Sequence, residues 1–543
     1  MGLAQKLSGR SASVSTETAC PSNAMDLSRI IAVYTQLSTL SILLVSVAVL
    51  VGIHFLSCLL QHWSAQSLPG PFPWPIIGNA VQLGNTPHIY FSKMARKYGD
   101  VFQIKLGSKP IVVLNGDSIR QALITKGADF AGRPDFESFK CISEGRSMAF
   151  GNYSEHWKLH RKVAQTTLRT FSTRNIHTKQ TFENHVVSEV KELIHLFLRK
   201  TQKTKYFPPH HYLVVSIANI MSAVCFGNRY SYDNFEFQQV VGRNDKFTKT
   251  VGAGSIVDVM PWLQYFPNPV KTLYGQFKEL NIEFSEFIRA KVVEHRKTIE
   301  SNIIRDMTDA FIAALDRGLV GAPGVCLDKE YVTPTIGDIF GASQDTLSTA
   351  VQWIILVLVR YPDLQKRLQE EVDKVVGRSR LPTIQDQPHL PYIMSLIYEV
   401  MRFTSFIPLT IPHCTTTDTS IKGYPIAKGT VVFINQWSLN HDPNKWDQPE
   451  LFNPVRFLDD HGALNKDLTS SVLIFSTGKR KCIGEELSKM LLFLFTTLLA
   501  HQCDFTVEKP PPMDYMYGLT LKPNEFQVAV TLREKSKFVS QGR

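Results

Sequence analysis

The sequence predicts one large, mainly α domain with a minor β region, carried behind a single N-terminal transmembrane helix. Three observations predict it. Amphipathic runs with apolar residues three and four apart dominate the chain after residue 76. Strand-like runs are short and few. Ahead of both lies a long uncharged stretch, with no Asp, Glu, Lys or Arg between Arg29 and Lys93.

Composition narrows the classes. With 543 residues, 44% hydrophobic and 20% charged, the chain can bury a large core, and wholesale disorder is excluded. Its eight cysteines include no CxxC pair and no short even spacing, which argues against a disulfide scaffold or a zinc module. The net charge of +11 suits an acidic protein partner, an anionic membrane or nucleic acid. No dense Lys/Arg run is present, which favours the first two and no nucleic acid.

The elements follow in order. Residues 1–39 read as an N-terminal tail. Residues 40–60, LSILLVSVAVLVGIHFLSCLL, are overwhelmingly apolar and as a helix would run roughly 30 Å, the thickness of a bilayer core. This is the expected anchor. The run starts late and is too long for a cleaved signal peptide. Residues 61–75 read as a hinge, because prolines 69, 71, 73 and 75 stiffen the chain into an extended spacer. The catalytic domain is expected over 76–535, with a tail at 536–543. Helices are expected at 184–200 and 363–376, and strands at 101–106, 110–114 and 429–435. Residues 334–360 are apolar around most of their circumference and read as a central buried helix, limited by Pro362.

The sharpest chemical signal is the run FSTGKRKCIG at 475–484. Glycines flanking Cys482 allow a tight turn in which backbone N–H groups point at a thiolate and tune it as an iron ligand. Phe475 can shield the sulfur, and Arg480 can reach a haem carboxylate. A buried structural cysteine is the ordinary alternative, and it does not explain the co-occurrence of these five residues.

The run resembles the haem-binding loop of the cytochromes P-450. Glu399 and Arg402 match that family's E-x-x-R pair, and Arg456 supplies the third member of its buried lock. Trp157 and Arg161 match W-x-x-x-R, which implies that they meet a haem propionate, as does His413. GASQDT at 341–346 is similar to the oxygen-activating A-G-x-D-T-T, with Asp345 and Thr346 as the implied proton-delivering pair. Ser343 and Leu347 depart from the pattern. The stretches GRSMAFGNYSEHWK, VGAGSIVDVMPWLQYFPNP and INQWSLNHDP look like vertebrate family one, most like subfamily B. That resemblance implies a P-450 fold and haem b on Cys482. It also implies electrons from NADPH through a flavoprotein reductase, and insertion of one oxygen atom of dioxygen into planar hydrophobic substrates. These would be polycyclic aromatics, estrogens, retinoids or fatty acids. Phe139, Asn244, Phe247, Phe284, Ala342, Ile411, Leu519 and Thr520 match the subfamily's substrate pocket.

Two alternatives stand beside it: a haem-thiolate hydroperoxide isomerase or dehydratase, and a non-catalytic membrane protein that binds haem or sterol. The aromatic segment at 260–269 suits the membrane interface or internal packing. Lys479 and Lys481 are candidate contacts for the reductase. The resemblance places the body on the cytosolic face of the endoplasmic reticulum, with mitochondrial targeting left open. Lys6, Arg10 and Arg29, all ahead of the span, put the N-terminus in the cytosol by the positive-inside rule.

Overall fold

The computed structural model describes residues 27–62, 68–142, 145–170, 176–300, 303–317 and 326–534. The residues between and beyond these, which include most of the expected tails, the residues at 63–67 of the hinge and the Asn244 side chain, lie outside the described residues. The chain divides into two compact units, Met1–Ser64 and Ala65–Arg543.

The described part of the first unit is one helix, α1 (Leu27–His62). It is longer than the apolar run at 40–60. Helical hydrogen bonding continues through Thr35, Gln36 and Ser38, whose side chains do not interrupt it. Within that unit Ile42, Leu50 and Leu56 are exposed apolar side chains.

The second unit builds its β part first. Strands β1 (Val101–Leu106) and β2 (Lys109–Leu114) form an antiparallel hairpin. The Pro-rich segment, expected to be an extended spacer, is from Pro69 on laid against β1. Gln103 N–H donates to the Pro69 carbonyl at 2.8 Å. Gly70 makes that approach possible, since a Cβ there would stand 2.0 Å from the Gln103 carbonyl oxygen.

Helices then dominate. In chain order they include α2 (Glu137–Cys141), α3 (Glu155–Arg169), α4 (Ile176–Thr204), α5 (His210–Phe226), α6 (Phe235–Val259), α7 (Pro269–Thr298), α8 (Met307–Asp316), α9 (Val332–Arg360), α10 (Pro362–Val375) and α11 (Pro391–Thr404). Helix α9 begins two residues before the expected start. Pro334 fits in its first turn, where no N–H is needed for an intrahelical bond. Length and composition alone would let α9 cross a membrane, but 83% of its most apolar window is buried in protein, so it is a core helix. Val351, Ile354, Ile355 and Leu358 on it pack with residues of α5, α11 and the later α12 (Glu485–Gln502) into the main core.

The chain returns to the sheet through β3 (His413–Cys414) and, after a small β4 (Thr419–Ile421) and β5 (Tyr424–Ile426) hairpin, β6 (Val431–Ile434). Four strands lie in the order β1-β2-β6-β3, with β6 parallel to β2. The C-terminal pairs β7 (Cys503–Thr506) with β10 (Ala529–Leu532), and β8 (Tyr515–Met516) with β9 (Lys522–Pro523), complete the unit. Trp353 of α9 donates its indole N–H to the Leu521 carbonyl at 2.8 Å, tying the central helix to this C-terminal loop.

Candidate functional site

The cysteine loop lies against the start of α12. Cys482 N–H donates to the Phe475 carbonyl at 2.8 Å, closing the turn, and Gly484 is the residue before the helix. The sulfur therefore stands near a helix N-terminus, where partial positive charge favours a thiolate. The turn requires Gly478. Its φ is +72°, and a Cβ there would lie 1.8 Å from the Leu123 carbonyl oxygen. The Cys482 side chain is accessible to solvent, yet protein around it pushes the thiol up. The Gly484 N–H, Arg161 and Lys481 act in the opposite direction.

Glu399, Arg402 and Arg456 are brought together. Arg402 Nε lies 2.7 Å from Glu399 Oε2, and Arg456 Nε 3.2 Å from Glu399 Oε1. Glu399 and Arg402 are wholly buried. Arg402 also donates to the carbonyls of Asn440 and Pro449, and Arg456 to those of Asp447 and Leu451. The triad thus ties α11 to the irregular segment at 440–456.

Trp157, Arg161, His413 and Arg480 also converge. Arg480 lies over the Trp157 ring at 3.9 Å, and Arg161 at 5.5 Å from the same centroid. Arg161 reaches the Lys481 carbonyl, next to Cys482. The Trp157 indole N–H is given to the Met148 carbonyl at 2.8 Å. His413 donates Nδ1–H to the Phe130 carbonyl at 2.7 Å, and burial holds its imidazole neutral, well below its ordinary pKa.

Sequence reasoning missed Arg133. It is buried, donates to the carbonyls of Ala149, Ile411 and Pro412, and stands close enough to Arg161 and Arg480 for their charges to interact. Burial, then repulsion from Arg161, pushes Arg133 down to about 9. Burial, then Arg133 and Arg161, pushes Arg480 down to about 8. Among the described residues none of the three pairs with a carboxylate. Three crowded guanidiniums without an acid call for an external dianion, and an accessible sulfur nearby calls for a metal. Haem, with two carboxylates and an iron that takes a thiolate ligand, would fit both demands.

Helix α9 carries the oxygen-activation candidates. Asp345 accepts a hydrogen bond from Thr520 at 2.8 Å and forms an ion pair with Lys522 at 2.8 Å. Thr346 Oγ1 donates back to the Ala342 carbonyl at 2.9 Å. Of the substrate candidates, Phe284 lies against Gly341, where a Cβ would be 3.1 Å from its ring, and stacks on Phe340 with centroids 6.3 Å apart. Ala342 beside it is exposed. Phe139 packs edge-on against Phe136 and at 4.9 Å from Phe150, while Phe247 packs on Phe277. Ile411 is half-buried and gives its carbonyl to Arg133. Thr520 is buried against Asp345, whereas Leu519 is half exposed.

Comparison with known proteins agrees with this geometry. The family model described as Cytochrome P450 matches residues 68–530. The chain is 54% identical over 507 residues to human Cytochrome P450 1B1, covering 92% of this chain and 93% of that protein. It is 44% identical over 464 residues to rabbit (Oryctolagus cuniculus) Cytochrome P450 1A1, covering 84% and 89%. A solved zebra fish cytochrome P450, titled as a structure with progesterone, superposes with a TM-score of 0.73 at 31% identity, covering 82% of this chain and 99% of that one. A thiolate loop, a buried carboxylate lock and an unpaired arginine cluster thus occur together in a chain that is like these proteins along most of its length. The chain belongs to the cytochrome P450 family, in its family one and nearest subfamily B, and is a haem-thiolate monooxygenase that draws its electrons from a redox partner.

Proposed function

We propose that this monooxygenase works on planar hydrophobic substrates, with electrons passed from NADPH through a flavoprotein reductase. The observation that carries the reading is the aromatic surface beside exposed Ala342, where the Phe284 ring meets Gly341 by its edge and stacks on Phe340. An apolar, aromatic lining beside a small side chain favours a flat ligand. Phe139, Phe247, Ile411, Leu519 and Thr520 extend the lining, and Asn244 is the proposed polar contact that orients the substrate. Polycyclic aromatics, estrogens, retinoids and fatty acids with planar segments are the substrate classes proposed.

Bound haem, held by Cys482, supplies the activation of dioxygen and the transfer of one oxygen atom. The chain's own residues do the rest. Arg133, Arg161 and Arg480 are proposed to fix the haem carboxylates, with Trp157 stacked beneath Arg161 and Arg480; His413, neutral and with its one N–H given to the Phe130 carbonyl, has no proton left to donate to them. Asp345 is proposed to deliver protons by way of Thr346, with Lys522 and Thr520 keeping its carboxylate aimed. Glu399, Arg402 and Arg456 hold the floor on which the cysteine loop rests. The helical segment at 40–60 is proposed as the anchor in the endoplasmic reticulum membrane, the body facing the cytosol. The division into tail, anchor, Pro-rich segment, catalytic domain over 76–535 and C-terminal tail is proposed on the same footing.

Reconstitution with reductase and NADPH tests the reading. It expects coupled NADPH use and oxygenated product from a planar aromatic, and weaker turnover of a bulky non-planar substrate. Equal turnover of both, or product formed from a hydroperoxide alone without NADPH, would count against it.

A further inference from the structure

Asp338 lies on α9, two turns before Asp345, and no motif claims it. Its carboxylate is turned to good account. Oδ1 accepts from Ser147 Oγ at 2.8 Å, and Oδ2 accepts from the N–H groups of Met148 at 2.6 Å and Ala149 at 3.3 Å. Ser147 Oγ in turn accepts from the N–H groups of Ala149 and Phe150, both at 3.1 Å. Gly151 N–H returns to the Ser147 carbonyl at 2.8 Å and closes the turn.

The carbonyl edge of this turn carries the arginine cluster. Met148 accepts from the Trp157 indole at 2.8 Å and from Arg480 at 3.3 Å. Ala149 accepts from Arg133 Nε at 2.9 Å, and Gly151 from Arg480 at 2.8 Å. So the same short backbone segment spends its N–H groups on Asp338 and its carbonyls on the residues around the haem carboxylates. One peptide carries both ends: the Ala149 N–H is on Asp338 and the Met148 carbonyl on Trp157 and Arg480, so the anion there makes that carbonyl the better acceptor, while the Ala149 and Gly151 carbonyls are placed by the fold of the turn.

No cation pairs with Asp338 among the described residues, and its carboxyl is pushed up to about 6 by the protein packed around it. An acid kept there at such cost, without a counter-charge, is an anchor for hydrogen bonds rather than half of an ion pair.

We propose that Asp338 is a positioning residue for the haem carboxylates: through the turn at 147–151 it sets where Arg133, Trp157 and Arg480 stand. This rests on the reading that those arginines hold the haem carboxylates.

The test uses the full-length, haem-loaded chain in detergent. Asp338→Asn and Ser147→Ala are compared with Arg480→Gln, following haem transfer to apomyoglobin, the resonance Raman bending bands of the haem propionates, and the unfolding temperature. Asp338→Asn is expected to release haem about tenfold faster, the scale seen when an outer partner of a metal site is removed, and to shift the propionate bands. Ser147→Ala, which deletes one hydroxyl, should shift the same bands less. If Asp338→Asn does not fold, the Ser147→Ala bands decide. Wild-type haem release and unshifted bands in Asp338→Asn or Ser147→Ala, even with a lowered unfolding temperature, overturn the proposal when Arg480→Gln releases haem fast. An Arg480→Gln variant that holds haem as well as wild type overturns the carboxylate reading beneath it.

Discussion

Replacing Glu399 by alanine should cost the fold more than any other single change outside the cysteine loop. The carboxylate accepts from Arg402 Nε at 2.7 Å and Nη2 at 2.8 Å, from Arg456 Nε at 3.2 Å, and from Asn453 N–H at 2.8 Å. Glu399 and Arg402 have no exposed side-chain surface, so water cannot take the lost acceptor's place. Leaving a buried guanidinium uncompensated costs about 3–5 kcal/mol. The stranded Asn453 N–H adds roughly 1 kcal/mol or more. The sum, about 5 kcal/mol, is comparable with the whole stability of a typical domain, about 5–15 kcal/mol. Urea unfolding followed by tryptophan fluorescence, with haem content measured alongside, reads the effect. Expected are an early unfolding midpoint and little bound haem, with Glu399→Gln in between because it keeps acceptor geometry but no charge. A loss below about 1 kcal/mol, the range of a surface pair, would refute the claim that the triad is a buried lock.

Other perturbations follow from the same geometry. Gly478→Ala must move either the cysteine turn or the Leu123 carbonyl, and adds about 1–2 kcal/mol for a left-handed residue. Reduced haem content at near-normal helicity by circular dichroism is expected, and full occupancy would contradict the close approach. Asp345→Asn should keep the haem spectrum while lowering product formation about 10²-fold, with NADPH diverted to peroxide. Unchanged coupling would remove Asp345 from proton delivery. At His295, burial opposes the charge, but the bond to Asp306 at 2.7 Å and its charge outweigh it and raise the imidazole above 6.5. The folded state therefore keeps a proton that the unfolded chain loses. That contribution is whole below pH 6.5 and lost as pH rises through the raised value. Unfolding temperature should fall across that window in the wild type and stay flatter in His295→Gln, and parallel profiles would rule the pair out.

What the sequence made legible was what lies close along the chain. The cysteine turn could be read because glycine, arginine and sulfur stand within a few residues, and the turn's geometry needs them there. Strand β1 was read to its residue limits, and α9 to within two residues of its start, because most of that helix's circumference is apolar and buried. Arg133 was not legible. It sits between Gly132 and Pro134 in a segment without periodicity, and only folding sets it beside Arg480, far along the chain. Asp338 was hidden for the opposite reason: within a helix it looks like any acid, and its partners are the Ser147 hydroxyl, nearly two hundred residues away, and the backbone N–H groups of Met148 and Ala149, which leave no mark on the sequence. In the Pro-rich segment the stiffness was visible in the sequence, whereas the fit of Gly70 onto β1 was not.

The measurement that bears most directly on the central claim is the reduced CO difference spectrum of wild type and Cys482→Ser, with haem content determined in parallel. Wild type should show the thiolate-ligated Soret band. Cys482→Ser, which removes the sulfur but little volume, should lose that band and most of its haem. A mutant that keeps both its haem and the thiolate band would show that the iron ligand lies elsewhere.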